Sequence, residues 1–274
     1  MLANPGRAVL RPQRMRKLAL AGMLAMIASL AGCSGVGLSP PSLSTATSTE
    51  ETGASAGTAD QMQGNPFHDN AALSLAGRTV IPNPSVEEIM KPASGMAEMA
   101  LGRPDAPVTF IKYASMTCPY CRQFQIEVFP ELKRQYIDTG KVRFILREFP
   151  IGFQSGSATV ALRCVPAERY FQAYDKLMRQ QSVWVSQEVR VEPILKVVGE
   201  VGLTAEQFGA CRQNQGMIRD LNSIKERGRT LGIVGTPNFF INGKLIKNSL
   251  TLRDVKAIID PILTGGSTSP APRS

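Results

Sequence analysis

The chain has 274 residues, of which 43% are hydrophobic and 19% are charged, as is usual for a globular protein. Its formal net charge of +9 would favour nucleic acid or an anionic membrane as a partner. Residues 1–32, however, hold five of the basic residues and no acidic one, so the remainder carries 26 basic and 22 acidic residues. This near balance, without a basic patch interleaved with aromatics, argues against a nucleic-acid-binding protein.

Histidine occurs once, at His68, in a polar stretch that is typical of a solvated loop. A single histidine excludes mechanisms that need two and most histidine-rich metal sites. The sequence therefore predicts no metal and no other cofactor. The cysteines are odd in number, which sets one of them apart from any pairing. They are Cys33, Cys118, Cys121, Cys164 and Cys211.

Residues 1–32 are predicted to be a signal peptide. Lys17 precedes the apolar run Leu18–Leu30, which has the charge pattern of a secretory signal and is short for a membrane span. Leu30-Ala31-Gly32-Cys33 then resembles a bacterial lipobox, in which the cysteine becomes the acylated N-terminus. Lipidation of Cys33 would leave four cysteines and would anchor the protein to a membrane on the periplasmic side of the cell envelope, where disulfides persist. The alternatives are a plain signal peptide and an uncleaved anchor.

Residues 33–95 are predicted to be a flexible tether with a short N-terminal arm. Residues 34–66 are rich in Ser, Thr, Gly, Ala and Pro and hold too little apolar surface to fold. Ser85 and Glu88 fit a capping box for a helix of about two turns. We expect residues 67–95 to form a partly ordered linker. The alternative is an arm that contacts a second subunit and supports an oligomer.

Residues 96–264 are predicted to form one α/β domain. Val108–Tyr113 predicts a strand, Arg122–Asp138 a helix kinked at Pro130, and Lys141–Phe149 a parallel second strand. Helical patterns then fill residues 155–231.

A hairpin and a helix complete this domain. Asn238–Ile241 and Lys244–Ile246 predict two strands, and Asn242-Gly243 between them is typical of a type I′ turn. Leu252–Leu263 predicts the last helix, and residues 265–274 are expected to be a mobile tail.

Cys118-Pro119-Tyr120-Cys121 stands where the first strand ends and its helix begins. Cysteines three residues apart in the first turn lie on one side of a helix. The free N–H groups and the positive end of the helix would lower the pKa of Cys118, whose thiolate is the attacking species in disulfide exchange. Pro119 suits the first helical position, because its missing N–H would have no partner there. The motif predicts a redox-active pair, with Cys121 deeper and suited to resolving a mixed disulfide.

Two other interpretations of this pair remain open. A zinc half-site would need two more ligands, and neither Cys164 nor Cys211 has a second ligand beside it. A purely structural disulfide would close a loop so short that it would constrain the unfolded chain little.

Two motifs together resemble the DsbA-type thioredoxin-like family of bacterial envelope thiol–disulfide oxidoreductases. They are Ala114-Ser115-Met116-Thr117-Cys118-Pro119-Tyr120-Cys121 and Gly235-Thr236-Pro237-Asn238-Phe239-Phe240-Ile241-Asn242-Gly243, and the segment 102–108 is similar as well. The resemblance covers about residues 97–264. It implies a thioredoxin fold, that is, a central mixed sheet flanked by helices, with an inserted helical domain at about residues 155–231.

The resemblance also implies roles for single residues. Cys118 would be the nucleophile, Cys121 the resolving thiol, and Pro119 and Tyr120 their supporting dipeptide. Pro237 would be a cis-proline that faces the cysteines. Thr236 would then offer backbone hydrogen bonds to an extended substrate chain.

Two features depart from the family pattern. The dipeptide is Pro-Tyr rather than Pro-His, so one source of thiolate stabilisation is missing. Lys112 stands six residues before Cys118, where the family often has a buried acid that moves protons for the resolving cysteine. We expect Lys112 to reach solvent through its long stem. The alternative is that its charge stabilises a thiolate.

Cys164 and Cys211 lie near the start and the end of the predicted helical insert. An extracytoplasmic location favours a structural disulfide between them, as in some relatives, and the alternative is two buried thiols. Four aromatic residues are expected to fill the core of the insert, and the alternative is an exposed substrate groove. They are Tyr170, Phe171, Tyr174 and Trp184.

The sequence thus predicts an enzyme that exchanges disulfides with exported cysteine-containing proteins, as their disulfide donor. A membrane redox partner would reset its active site. One alternative is an isomerase or reductase that such a partner keeps reduced. Another is a non-catalytic surface lipoprotein with the same fold. A cytoplasmic glutaredoxin-like role shares the Cys-Pro-Tyr-Cys string, but the signal segment and the insert argue against it.

Overall fold

The computed structural model describes residues 79–188 and 190–265. The predicted signal peptide, Cys33, His68, residues 34–78 and the tail beyond residue 265 lie outside the described residues. Within the described ranges, no helix combines the length and the apolar character that a bilayer span requires.

Five strands and ten α-helices make up the described part of the chain. The strands are β1 (Met99–Leu101), β2 (Val108–Ala114), β3 (Val142–Glu148), β4 (Asn238–Ile241) and β5 (Lys244–Ile246). The helices are α1 (Val86–Met90), α2 (Pro119–Gln123), α3 (Phe129–Leu132), α4 (Gly152–Cys164), α5 (Tyr170–Arg179), α6 (Gln181–Trp184), α7 (Glu192–Gly199), α8 (Ala205–Cys211), α9 (Gln215–Thr230) and α10 (Leu252–Leu263). A 3₁₀ turn spans Ala167–Arg169, and π-helical turns follow α2 at Phe124–Val128 and α3 at Lys133–Ile137.

The strands form one mixed sheet in the order β1-β3-β2-β4-β5. β2 pairs with β3 in parallel, and the other neighbours are antiparallel. β2 is therefore the central strand, with hydrogen-bonded partners on both sides. The pairing of Tyr113 with Asn238 brings the start of β4 beside the end of β2. This topology confirms the predicted mixed sheet of a thioredoxin fold, and α4–α9 form the predicted helical insert between β3 and β4.

Core residues cover both faces of the sheet. Phe110 and Ala114 of β2 belong to the larger core, which includes α2 and the insert. Ile111 and Tyr113 point to the opposite face, where Ile89 of α1 also packs. Because side chains alternate along a strand, Lys112 lies on the same face as Phe110 and Ala114.

Local signals in the sequence account for the ends of several elements. Asn242 and Gly243 both have positive φ, 43° and 86°, as the predicted type I′ turn requires. Near Pro130 the helix changes from π-helical to α-helical hydrogen bonding, which is a local break of the kind that proline causes. Helix α2, which follows β2, starts at Pro119, three residues before the predicted start at Arg122.

The packing of residues 79–95 differs from the expected partly ordered linker. The N–H of Ile81 donates to the Thr230 carbonyl at 2.8 Å, and Ile89 is 1% exposed. Arg147 donates to the Ile89 carbonyl at 2.8 Å, and Arg227 donates to the Glu88 carbonyl at 2.7 Å. The folded part therefore begins before Met96. The ordered packing of α1 could not be predicted from its own sequence, because the two arginines that bind its carbonyls lie far along the chain.

Helix α1 also has the predicted cap in part. The Ser85 side chain accepts from the Glu88 N–H at 3.1 Å, whereas the Glu88 carboxylate pairs with Lys91 and Arg227 instead of turning back to Ser85. The helix is held by contacts within the same chain. The alternative, an arm of residues 67–95 that contacts a second subunit, stays a prediction.

The insert is closed by a disulfide between Cys164 at the end of α4 and Cys211 at the end of α8, with Cα atoms 5.8 Å apart. Trp184, Tyr170 and Tyr174 are each 1% exposed, so the prediction that they fill the core is confirmed and the exposed aromatic groove is wrong. Phe171 packs against this core while partly buried.

The docking of α1 can be tested with Ile89→Ala. Truncating a fully buried isoleucine should lower the free energy of unfolding by about 2–5 kcal/mol. Glu87→Ala, on the exposed side of the same helix, is the control and should change stability by less than about 0.5 kcal/mol. Urea unfolding of both variants measures the difference. Equal, small effects would show that α1 does not dock.

Candidate active site

Cys118 is the N-cap residue of α2, four residues beyond the end of β2. Its Sγ accepts a hydrogen bond from the N–H of Cys121 at 3.3 Å. Its thiol donates to the Thr236 carbonyl at 3.2 Å. The first contact comes from the helix start and the second from the approach to β4. The β2–β4 pairing thus brings the two sequence motifs together.

The surroundings of Cys118 favour its thiolate. The pKa of Cys118 is lowered to about 6, and the largest cause is hydrogen bonding from the Cys121 side chain. Burial acts in the opposite direction. The Thr236 side chain and the backbone amides of Cys121 and Tyr120 lower the pKa further. Since Cys118 is partly exposed, a reactive thiolate is within reach of another protein.

Cys121 is in the opposite situation. It is 0% exposed, and burial is the main reason why its pKa is raised well above the ordinary value. The attraction of Lys112 opposes this shift in part. The two cysteines therefore have different states near neutral pH, with Cys118 a thiolate and Cys121 a thiol.

The Thr236–Pro237 bond is cis, as the resemblance implies. Pro237 is buried and Thr236 is partly exposed. Within the described residues, no backbone group of Thr236 is hydrogen-bonded to another backbone group. The Thr236 N–H, and the carbonyl lone pair that the Cys118 thiol does not use, are therefore available at the site to an extended chain.

Lys112 is fully buried, so the expectation that it reaches solvent is wrong. Its Nζ donates to the Tyr174 hydroxyl at 3.1 Å and to the Cys121 carbonyl at 3.3 Å. It also lies 4.4 Å from the centre of the Phe124 ring. The physical reason is the position of Lys112 in the central strand, because both faces of β2 are covered and the side chain can only point into the core.

Two residues of the insert hold the active-site loop, and sequence reasoning missed both. The Ser155 hydroxyl accepts from the Met116 N–H at 3.0 Å and shares a 2.7 Å hydrogen bond with the Ser115 hydroxyl. Gln181 donates to the carbonyls of Met116 at 2.7 Å and Cys118 at 3.2 Å. Neither residue belongs to a recognisable motif, and only the folded insert places them here.

The remaining predicted site residues lie either beside Cys118 or in the helical insert. Pro119 is the first residue of α2, and Tyr120 is 59% exposed beside Cys118. Cys164 and Cys211 are paired with each other in the insert. Among the described residues no group of three or more histidine, cysteine, aspartate or glutamate side chains is arranged to hold a metal ion.

This arrangement defines a thioredoxin-like dithiol site, in which an accessible thiolate and a buried thiol are close enough to exchange with a disulfide. The chain belongs to the thioredoxin family, whose model matches residues 94–261, more than half of the sequence.

Relatives by sequence carry names that refer to disulfide chemistry. A Rickettsia bellii protein named "Putative protein-disulfide oxidoreductase" is 32% identical over 170 residues, covering 60% of this chain and 63% of the relative. "Disulfide bond formation protein D" of Bacillus subtilis is 27% identical over 179 residues, covering 60% of this chain and 77% of that protein. The chain thus spans less than two thirds of the length of the Rickettsia relative.

Solved structures show the same fold. Wolbachia pipientis alpha-DsbA1 has a TM-score of 0.58 and 27% identity, with 61% of this chain and 92% of that chain covered. Bacillus subtilis BdbD has a TM-score of 0.58 and 22% identity, with 69% of this chain and 100% of that chain covered, and it supports the fold alone.

The pKa of Cys118 can be measured through its rate of alkylation by iodoacetamide as a function of pH. In the reduced protein we expect a midpoint near 6. In Cys121→Ala the midpoint should rise, because the largest stabilising hydrogen bond is gone. It should stay below the ordinary value, because the helix amides remain. An ordinary midpoint in the unaltered protein would contradict the geometry.

Proposed function

We propose that this protein is a thiol–disulfide oxidoreductase that donates disulfides to exported cysteine-containing proteins through Cys118 and Cys121. The observation that carries this proposal is the asymmetry of the pair. Cys118 is partly exposed with a lowered pKa, whereas Cys121 is buried with a raised one. Only one sulfur can meet a substrate, and the other is placed to close the disulfide.

The donor reaction begins with the Cys118–Cys121 disulfide. A substrate thiolate attacks Sγ of Cys118, a substrate–Cys118 bond forms, and the Cys118–Cys121 bond breaks with its electron pair on Cys121, which takes up a proton. A second substrate thiolate then attacks the substrate sulfur of the mixed disulfide. Cys118 leaves as a thiolate, the substrate keeps a new disulfide, and the protein holds the two electrons.

The lowered pKa of Cys118 determines the favoured direction. A stabilised thiolate is a better leaving group and lowers the free energy of the reduced protein. Because the folded pKa is about 6, this stabilisation is present at pH 7 and is lost as the pH falls through 6. The reduced form is thus favoured at neutral pH, which makes the disulfide an oxidant.

Substrate would bind as an extended segment across the site. The peptide groups of Thr236 supply backbone hydrogen bonds, in the manner of strand addition. Apolar side chains around the site are exposed, among them Tyr120 at 59% and Val234 at 80%. Such a surface suits apolar segments of proteins that have not finished folding.

The location completes the proposal. A lipidated Cys33 would hold the domain on the periplasmic side of a membrane in the cell envelope, and a membrane redox partner would reoxidise the pair. The lipobox-like sequence and the Cys164–Cys211 disulfide support this placement, because disulfides persist outside the cytoplasm.

The function is tested by the reduction potential of the Cys118–Cys121 pair in glutathione buffers. We expect a potential well above that of thioredoxin, because the Cys118 thiolate stabilises the reduced form. Oxidation of a reduced two-cysteine peptide should be lost in Cys118→Ser and kept in a Cys164→Ala/Cys211→Ala double variant. A potential near that of thioredoxin would favour a reductase or isomerase, and unchanged peptide oxidation in Cys118→Ser would favour a non-catalytic lipoprotein.

Lipidation is tested by expressing the whole chain with an alkyne-labelled fatty acid in a bacterial host. We expect label in the protein and none in Cys33→Ala. Cys211→Ala is the control for removal of a cysteine elsewhere and should still be labelled. Unlabelled protein, or label that persists in Cys33→Ala, would contradict the anchor.

A further inference from the structure

In the part of the chain that the structure describes, Lys112 forms no ion pair with a carboxylate. The side chain is 0% exposed, so water does not solvate the ammonium group. Its polar contacts are the Tyr174 hydroxyl and the Cys121 carbonyl, and its nearest ring is Phe124. All three are neutral. An isolated buried ammonium is costly, and a lysine in such a place readily gives up its proton.

The groups that can carry charge around Lys112 are few. Cys118 and Cys121 approach from α2, and Tyr174 approaches from α5. Lys112 pairs in register with Leu146 of β3 and Phe239 of β4, which do not titrate.

The acids of the neighbouring elements have partners of their own. Glu148 of β3 binds Arg163 and Tyr170, and Asp175 of α5 binds Gln125 and Arg179. The cysteine pair is therefore the variable charge that Lys112 faces.

We propose that Lys112 is a proton-uptake site coupled to the redox state of the Cys118–Cys121 pair, protonated when the pair is reduced and neutral when it is a disulfide. This inference rests on the proposed redox cycle of the pair. A reduced pair supplies the Cys118 thiolate as a counter-charge for the ammonium. A disulfide carries no charge, so oxidation removes that counter-charge from Lys112.

The hydrogen bonds of the site fit both states of the amine. The Cys121 carbonyl accepts an N–H of either the ammonium or the neutral amine. The Tyr174 hydroxyl accepts from the ammonium and, after rotation, donates to the lone pair of the amine. Burial raises the pKa of Tyr174 well above its usual value, so this hydroxyl stays neutral. Nζ therefore keeps a hydrogen bond to each of these two groups in both states.

The titration of Lys112 agrees with this geometry. Burial lowers the pKa of Lys112 to about 8 in the structure with free cysteines, and both cysteines act against the shift. Forming the disulfide removes that opposing attraction, so the pKa must be lower in the oxidised protein. Between the two pKa values, Lys112 gains a proton on reduction and releases it on oxidation.

The proton balance follows. Above the pKa of Cys118, two-electron reduction of the disulfide leaves Cys118 as a thiolate and puts one proton on Cys121. With Lys112 coupled, a second proton is taken up at Nζ. The equilibrium constant for reduction should then fall with rising pH by up to about tenfold more per pH unit than without Lys112.

The test compares the unaltered protein with Lys112→Met in glutathione buffers between pH 6.5 and 9. The ratio of the two reduction constants cancels the titration of glutathione itself. We expect this ratio, unaltered over variant, to fall severalfold as the pH rises towards 9. A Lys225→Met variant is the matched control, because Lys225 is 2% exposed but lies against Phe149 on the opposite face of the sheet. The ratio of the reduction constants of the unaltered protein and Lys225→Met should not change with pH.

Other outcomes separate the hypotheses. A flat ratio for Lys112→Met, with both proteins cycling, would overturn the coupling. A ratio that rises would also overturn it and would mean a permanently charged Lys112, because removing a fixed cation raises the pKa of Cys118 and makes the variant the steeper one. If the unaltered protein does not oxidise the two-cysteine peptide but the ratio still falls with pH, the proposed function is refuted and the coupling stands.

A second measurement needs no folded variant. The pH titration of the Lys112 ¹³Cε signal, assigned from its own backbone, should show a midpoint near 8 in the reduced protein. The midpoint should be lower in the oxidised protein. Equal midpoints in the two states would overturn the proposal whatever the behaviour of Lys112→Met.

Discussion

The antiparallel pairing of β2 with β4 is the constraint on which the site depends. Cys118 comes from the helix that follows β2, and Thr236 comes from the loop that precedes β4. These residues are 118 positions apart in the sequence. The Tyr113–Asn238 register places the end of one strand beside the start of the other, so a thiol and a peptide group meet at 3.2 Å. A slip of the register by one residue would turn the side chains of β4 to the other face and separate the two motifs.

The insert contributes to the chemistry although it contains no predicted catalytic residue. Ser155 and Gln181 hold the backbone of residues 115–118, and Tyr174 binds Lys112 below the cysteines. The Cys164–Cys211 disulfide joins the two helices α4 and α8 of the same insert. The helical insert is therefore a support that fixes the backbone position of Cys118.

The predictable part of this molecule is the part encoded by local patterns. Runs of strand-forming residues predicted β2 and β3, Asn242-Gly243 predicted the hairpin, and the spacing of Cys118 and Cys121 predicted the pair. Local patterns could not predict the roles of residues that depend on partners far away in the sequence. Ile89 is buried because Arg147 and Arg227 satisfy the carbonyls of its helix.

Lys112 shows why one prediction failed. The prediction followed the usual behaviour of lysine, which extends its stem until the charge reaches water. That route needs an open face, and a central strand covered on both sides offers none. The covering of β2 by the insert and by α1 is a tertiary fact, so the sequence pattern of β2 alone could not decide between solvent and core.

The buried position of Lys112 determines from which side a positive charge can act on Cys118 and Cys121. The dipeptide Pro119-Tyr120 contains no cation, and Tyr120 is an exposed aromatic residue beside Cys118. The positive charge lies instead beneath the pair, within hydrogen-bond distance of the Cys121 carbonyl and out of contact with solvent. A cation at the surface would attract acidic substrates and be screened by salt. A buried one acts on the cysteines in a low-dielectric environment, where its effect on their pKa values is larger and less screened by salt.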